Sequence, residues 1–310
     1  MNRRQTVAPE QKYTAKMFDR EFPTDDSCLE WVMEKRFPGG VALCPVCEVE
    51  RKHYRVSGRT SYACHACGAH LYPLAGTIFH KSSTSLTTWF YVIKLMTSTR
   101  VGISAKQIQR ETGVTYKCAW RMMKQVRQLM AERIKLQGAV EIDEAYFGGA
   151  DSNKPQHLRG RAKTPVLGIV ERKGRVLARV MPEATKDVIL PIVGEVLHAR
   201  AMVYADQSKA IAAVRWMGKN HKLATVNHSE GYRQGYAHTN TIDGFWALVK
   251  RGIHGVYYQV GAKYLQSYLD EFSYRYNRRH VMRPMFTQLL EQTTTEVCPS
   301  ARAEKLALRG

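Results

Sequence analysis

The chain has 310 residues, room for two or three compact domains, and its 44% hydrophobic content excludes wholesale disorder. Lys and Arg number 47 against 27 Asp and Glu, a formal charge of +20, and an excess of that size spread along the chain points to a polyanionic partner. No apolar run approaches the roughly 20 residues that span a bilayer, and there is no signal-peptide core or lipidation motif. A membrane surface is therefore the weaker choice of polyanion, and a cytoplasmic, nucleoid-associated location is expected.

Residues 1–40 read as a loose basic arm, over about the first 21 residues, followed by a short helix. Thr24-Asp25-Asp26 supplies the helix cap, Leu29, Trp31, Val32 and Met33 its apolar positions, and Phe37-Pro38-Gly39-Gly40 its end. Residues 41–80 form a cysteine module. Cys44-Pro45-Val46-Cys47 and Cys64-His65-Ala66-Cys67 give the pattern C-x2-C-x16-C-x2-C. Each C-x-x-C folds as a knuckle that turns two thiolates toward one ion, and four thiolates complete a closed tetrahedral Zn²⁺ site. A closed site leaves no position for water, so this zinc is expected to be structural. The strand-like stretches Tyr54–Val56 and Ser61–Ala63, with Gly68 after the second knuckle, predict a ribbon. His53, His65, His70 and His80 are expected on the surface or facing DNA rather than as ligands.

Residues 81–137 read as a helical unit, with apolar residues at helical spacing from Ser85 to Gln137, broken at Gly102 and Gly113. Ser104 to Thr115 has the grammar of a helix-turn-helix: Ser104 caps one helix, Gly113 permits the turn and Thr115 caps the next. The second helix carries Lys117, Arg121, Lys124 and Arg127 for DNA phosphates and base edges, with Trp120, Met123 and Val126 for packing.

Residues 138–290 change character, and 291–310 form a tail. Strands are predicted from Val140, over Pro165–Val170 and over Val176–Val180, then a helix at about 185–198. The strand Met202–Ala205, a helix, the strand Leu223–Val226 and a mostly helical stretch from Thr239 follow. The polar, basic stretch Gly148–Lys163 reads as a loop at the DNA surface. The expected class is multidomain α+β: zinc ribbon, helix-turn-helix, then an α/β domain with a mixed sheet. Its element order matches the ribonuclease-H-like one, in which the first and fourth strands are neighbours.

Two aspartates then become candidates for one site. Asp143 is expected at the end of the first strand and Asp206 just past the fourth, and neighbouring carboxylates can share hard cations such as Mg²⁺ or Mn²⁺. A third ligand is sought on the helix beginning near Thr241, where Asp243 and Lys250 are seven apart and share a face. Glu271, Arg275 and Arg278 share another.

The ribbon, "VEIDEAYFGG", "VYADQS", "AHTNTIDGFWALVKRGIHGVYYQV" and "YLDEFSYRYNRRH" together resemble bacterial insertion-sequence DDE transposases of the zinc-ribbon group named IS fifteen-ninety-five, over roughly residues 20–290. The resemblance implies a ribonuclease-H-like catalytic domain using two Mg²⁺ or Mn²⁺ ions. Its DNA partners would be double-stranded element ends and target, engaged by a homodimer or larger homo-oligomer. It implies Asp143 and Asp206 as the first two acids and Lys250, beside the basic Arg251, as a DNA-phosphate contact. Where the pattern calls for Glu the chain has Asp243, one methylene shorter, and Asn240 on the same helix is the alternative ligand. Arg275 and Arg278 would touch DNA or pair with Glu271; His238 would sit at the site rim or serve structure. A repair or junction nuclease, a domesticated DNA-binding derivative and a purely DNA-binding regulator are the competing readings.

Overall fold

The computed structural model describes residues 8–148, 163–199, 201–206, 222–226 and 239–295, with backbone alone at 206 and 222–226. The loop expected after Gly148, the helix expected between the fourth and fifth strands of the α/β domain, His238 and most of the tail lie outside the described residues. Two compact units emerge. The described residues of the first fall within 1–99, 105–129 and 281–310, and those of the second within 100–104 and 130–280.

In the first unit, helix α1 (Ala15–Glu21) replaces the later part of the expected loose arm. The reason is aromatic burial. Phe18 and Phe22 pack among Tyr91, Phe90, Trp31 and Phe286, and burying such a ring stabilises by about 1.5–3 kcal/mol. Helix α2 (Asp25–Arg36) begins on a reciprocal cap, in which Thr24 and Ser27 bond each other's backbone N–H, and it buries Leu29, Val32 and Met33. Four short antiparallel strands follow in sequence order: β1 (Val41–Leu43), β2 (Glu50–Arg55), β3 (Tyr62–Cys64) and β4 (His70–Leu71).

Helix α3 (Leu86–Ser98) is buried along most of its length, and α4 (Ala105–Thr112) packs on α5 (Tyr116–Leu129). Gly113, at φ 72°, makes the turn between α4 and α5 in a conformation that other residues adopt at a cost. Thr115 then caps α5 by accepting from the Cys118 N–H at 3.2 Å. The helical pattern expected through Gln137 stops at Leu129; beyond it Leu136 forms an isolated bridge with Leu197 in the second unit. Helix α9 (Met285–Thr295) belongs to the first unit through Phe286, Leu289 and Leu290.

The second unit is built on five strands: β5 (Ala139–Phe147), β6 (Thr164–Glu171), β7 (Val176–Val180), β8 (Met202–Asp206) and β9 (Lys222–Val226). Their spatial order is β7-β6-β5-β8-β9. The first three pair antiparallel, whereas β8 joins β5 and β9 joins β8 in parallel, so the sheet is mixed. Side chains alternate between faces along a strand. Val140 and Ile142 pack with Leu167, Ile169 and Val203 toward α6 (Lys186–Val196). Ala145 and Phe147 pack on the opposite face with residues of α7 (Asn240–Gly252) and α8 (Ala262–Asn277).

Asp143, expected at a strand end, lies in mid-strand. Antiparallel pairing with β6 continues past it to Phe147↔Thr164 and holds the backbone extended. Asp206 is the last residue of β8 rather than the residue after it.

Candidate catalytic and DNA-facing sites

On β5 and β8 the parallel register runs from Ala139↔Met202 to Ile142↔Ala205. One step further along each strand stand Asp143 and Asp206, brought side by side by backbone pairing although remote in sequence. The Asp143 carboxylate is half-buried and accepts the indole N–H of Trp246 at 3.0 Å. Trp246 reaches it because Gly168, the ladder partner of Asp143 on β6, has no side chain. A Cβ there would fall 2.3 Å from Trp246 Cζ2 and 2.8 Å from Ile242 Cδ1. Helix α7 is thereby seated close to the sheet.

The first turn of α7 carries Asn240 and Asp243, both exposed. Asp243 accepts from the Thr239 hydroxyl at 3.4 Å, and its negative charge suits a helix N-terminus. Lys250 and Arg251 are exposed in the last turn, where cations suit the helix dipole, and Lys250 shares the face of Asp243.

Arg275 and Arg278, expected either to touch DNA or to pair with Glu271, both bond carboxylates of the protein. Arg275 is 5% exposed and ion-paired with the fully buried Glu271, which also accepts from the Tyr257 hydroxyl at 2.9 Å. The pairing alternative thus describes Arg275. Arg278 bonds Glu132 at 2.8 Å rather than Glu271 and lies 3.5 Å from the Tyr274 ring centre. It follows the last residue of α8, Asn277, so it leaves the helical face that would have aimed it at Glu271.

Glu141 was not singled out by sequence reasoning. Its side chain is wholly buried, and it bonds Arg172, the Thr241 hydroxyl and the backbone N–H groups of Thr241 and Ile242. A signal was present: Glu141 lies two residues before Asp143 on a strand face that otherwise turns apolar at Ala145 and Phe147. A charge at such a position requires partners.

In the first unit the four cysteine sulfurs lie within 4.8 Å of one another. Cys44 Sγ is 3.5 Å from Cys67 Sγ, and Cys47 Sγ is 4.0 Å from Cys64 Sγ. Tetrahedral Zn–S bonds of about 2.3 Å require sulfurs roughly 3.8 Å apart, so the cluster fits the ion. The backbone N–H of Cys47, pointing at Cys44 Sγ from 3.4 Å, chiefly lowers the Cys44 thiol to about 6, while the Cys67 thiol beside it chiefly raises Cys47 to about 12, so the crowded sulfurs share their protons unevenly. His53, expected at the surface, is 2% exposed and bonds the Arg51 carbonyl, because it lies opposite Cys64 in the β2–β3 ladder. His65 and His70 are turned to the Lys52 carbonyl and the Ser61 hydroxyl.

Lys117, Arg121 and Lys124 are exposed at i, i+4 and i+7 of α5, a single cationic face. Arg127, expected beside them, is 2% exposed. It falls on the inner stripe with Met123 and Val126, at i, i+3 and i+4, so helical periodicity turns it inward.

Comparison with known proteins matches residues 23–70 to a transposase zinc-ribbon domain and residues 135–277 to an ISXO2-like transposase domain. These matches cover the cysteine cluster and the sheet with its helices, and they define the class as insertion-sequence transposases. The chain belongs to the zinc-ribbon family that its motifs resemble. It is also 27% identical over 253 residues to an uncharacterized protein in transposable element ISH50 of Halobacterium salinarum, spanning 75% of this chain and 84% of the relative. Among the described residues no helix is long and apolar enough to cross a membrane.

Proposed function

We propose that this transposase is a divalent-metal-dependent DDE/DDD enzyme that binds the inverted-repeat ends of its element, cleaves them and joins the freed 3′-hydroxyls to target DNA. The observation that carries the reading is the parallel register of β5 on β8, which makes Asp143 and Asp206 successive neighbours at one edge of the paired ladder. In a ribonuclease-H-like domain this is where two carboxylates hold Mg²⁺ or Mn²⁺. The strand order β7-β6-β5-β8-β9 supports that domain type.

Asp143 and Asp206 would hold the cations, and Asp243, or Asn240 in its place, would complete the set from the first turn of α7. Bound metal supplies an activated water and stabilises the charge that develops on the leaving 3′-oxygen. Trp246 fixes the rotamer of Asp143 through its indole N–H. Lys250 would anchor a DNA phosphate beside the scissile bond, with Arg251 adding positive charge. The helix pair α4–α5 would act as a helix-turn-helix that presents Lys117, Arg121 and Lys124 to DNA, and the four cysteines would hold a structural zinc.

The test is strand cleavage and joining on a labelled duplex carrying an element end. Asp143→Asn and Asp206→Asn should each abolish both reactions and leave DNA binding intact. Asp243→Ala should behave likewise, while Asn240→Ala should be milder, since an anionic oxygen binds Mg²⁺ better than an amide oxygen. Unaltered cleavage by Asp143→Asn would refute the metal site. Wild-type protein that cleaves ends but never joins them would instead be a nuclease.

A further inference from the structure

We infer that Glu141 is a positioning residue for the metal-dependent reaction: a buried anionic clamp on β5 that fixes the N-terminus of α7, and with it the third ligand, relative to Asp143 and Asp206. The inference rests on the catalytic reading above. Three acids occur in Glu141-Ile142-Asp143-Glu144, and geometry separates the first from the metal set. Its Oε1 accepts from Arg172 Nε at 2.8 Å and the Thr241 hydroxyl at 2.9 Å. Its Oε2 accepts from the Thr241 N–H at 2.8 Å and the Ile242 N–H at 3.0 Å. With four donors on two fully buried oxygens, Glu141 is committed to protein.

Those two backbone N–H groups belong to the first turn of α7, which leaves such donors without intrahelical partners. Ordinarily the N-cap side chain takes them, but Thr239 makes no capping bond and turns its hydroxyl to Asp243. The cap comes instead from a strand 100 residues away in sequence. Because the carboxylate is rooted on β5 two residues before Asp143, it sets where α7 begins against that strand. One turn beyond the capped N–H of Ile242, Trp246 reaches Asp143.

Arg172 completes the device. Its guanidinium neutralises Glu141 and stacks 3.9 Å from the ring centre of Tyr204, two residues before Asp206 on β8. One carboxylate therefore links the three elements that carry Asp143, Asp206 and Asp243. Residues that orient metal ligands in this way commonly change metal affinity or activity by about 10–100-fold when replaced.

The experiment uses full-length, zinc-loaded protein below the unfolding midpoint of each variant. It measures end binding by fluorescence anisotropy and single-turnover cleavage across a Mg²⁺ and a Mn²⁺ titration. Glu141→Gln keeps the shape but turns an amide NH₂ toward a donor. It should bind DNA within about twofold of wild type, cleave at least about tenfold more slowly in Mg²⁺, and need several-fold more metal for half-maximal rate, with partial recovery in Mn²⁺. Arg172→Gln should move the metal requirement in the same direction by less, and it decides the matter if Glu141→Gln does not fold. A metal requirement equal to wild type in the folded variants, including a rate loss that merely follows the folded fraction, overturns the inference. Failure of the broader reading is distinct: then Asp143→Asn itself would cleave normally.

Discussion

Replacing Gly168 by alanine tests whether α7 must lie this close to the sheet. The new methyl would sit 2.3 Å from Trp246 Cζ2 and 2.8 Å from Ile242 Cδ1, both far inside van der Waals contact. Neither neighbour is a free chain end, since Ile242 is fully buried and Trp246 is 4% exposed. Relief requires α7 or the indole to move outward, and overpacking of this kind costs about 1–3 kcal/mol. At roughly 2–4 °C per kcal/mol for a unit of this size, the melting temperature of the second unit should fall by about 2–12 °C. The same movement strains the 3.0 Å bond from Trp246 to Asp143, so cleavage measured well below the melting point should fall by more than the lost folded fraction explains. Differential scanning calorimetry and single-turnover cleavage supply the two readouts. Trp246→Phe in the same chain removes the crowding ring atoms but not Ile242 Cδ1, so the double variant should recover part of the lost stability but not the lost orientation of Asp143, a non-additive pattern. A Gly168→Ala protein with wild-type melting temperature and cleavage rate would refute the close-packing argument.

Two other outcomes follow from the first unit. Cys44→Ser or Cys67→Ser should lose zinc, melt the ribbon and weaken DNA binding, because metal coordination supplies on the order of 10 kcal/mol in small zinc modules. Elemental analysis that finds no zinc in well-folded wild-type protein would sink this expectation. Arg121→Ala and Lys124→Ala should each weaken end binding and reduce the slope of log affinity against log salt by about 0.9 per lost phosphate contact, whereas the buried Arg127→Ala should lower stability with little change in slope. If both exposed variants keep the wild-type slope, α5 is not the DNA-binding helix.

Features written in short-range chemistry were legible before any fold was known. The C-x-x-C knuckles, the Thr24 cap of α2, the Gly113 turn and the short apolar runs of β6 and β7 each depend on residues a few positions apart. Local chemistry also set the exposed cationic face of Lys117, Arg121 and Lys124 on α5, and it put Asn240, Asp243 and Lys250 on one helix.

Tertiary structure decided the rest, for reasons that no local pattern contains. Strand register set Asp143 next to Asp206, and pairing with β6 carried β5 four residues beyond Asp143. Choice of partner turned Arg275 onto Glu271, Arg278 onto Glu132 and Glu141 onto the first turn of α7. Burial took His53 and Arg127 from the surface, and an aromatic cluster closed over Phe18 in what reads from sequence as a loose arm. A charged residue in sequence is equally compatible with DNA, solvent or a buried partner. Only the packed chain, by removing it from water or leaving it there, selects among them.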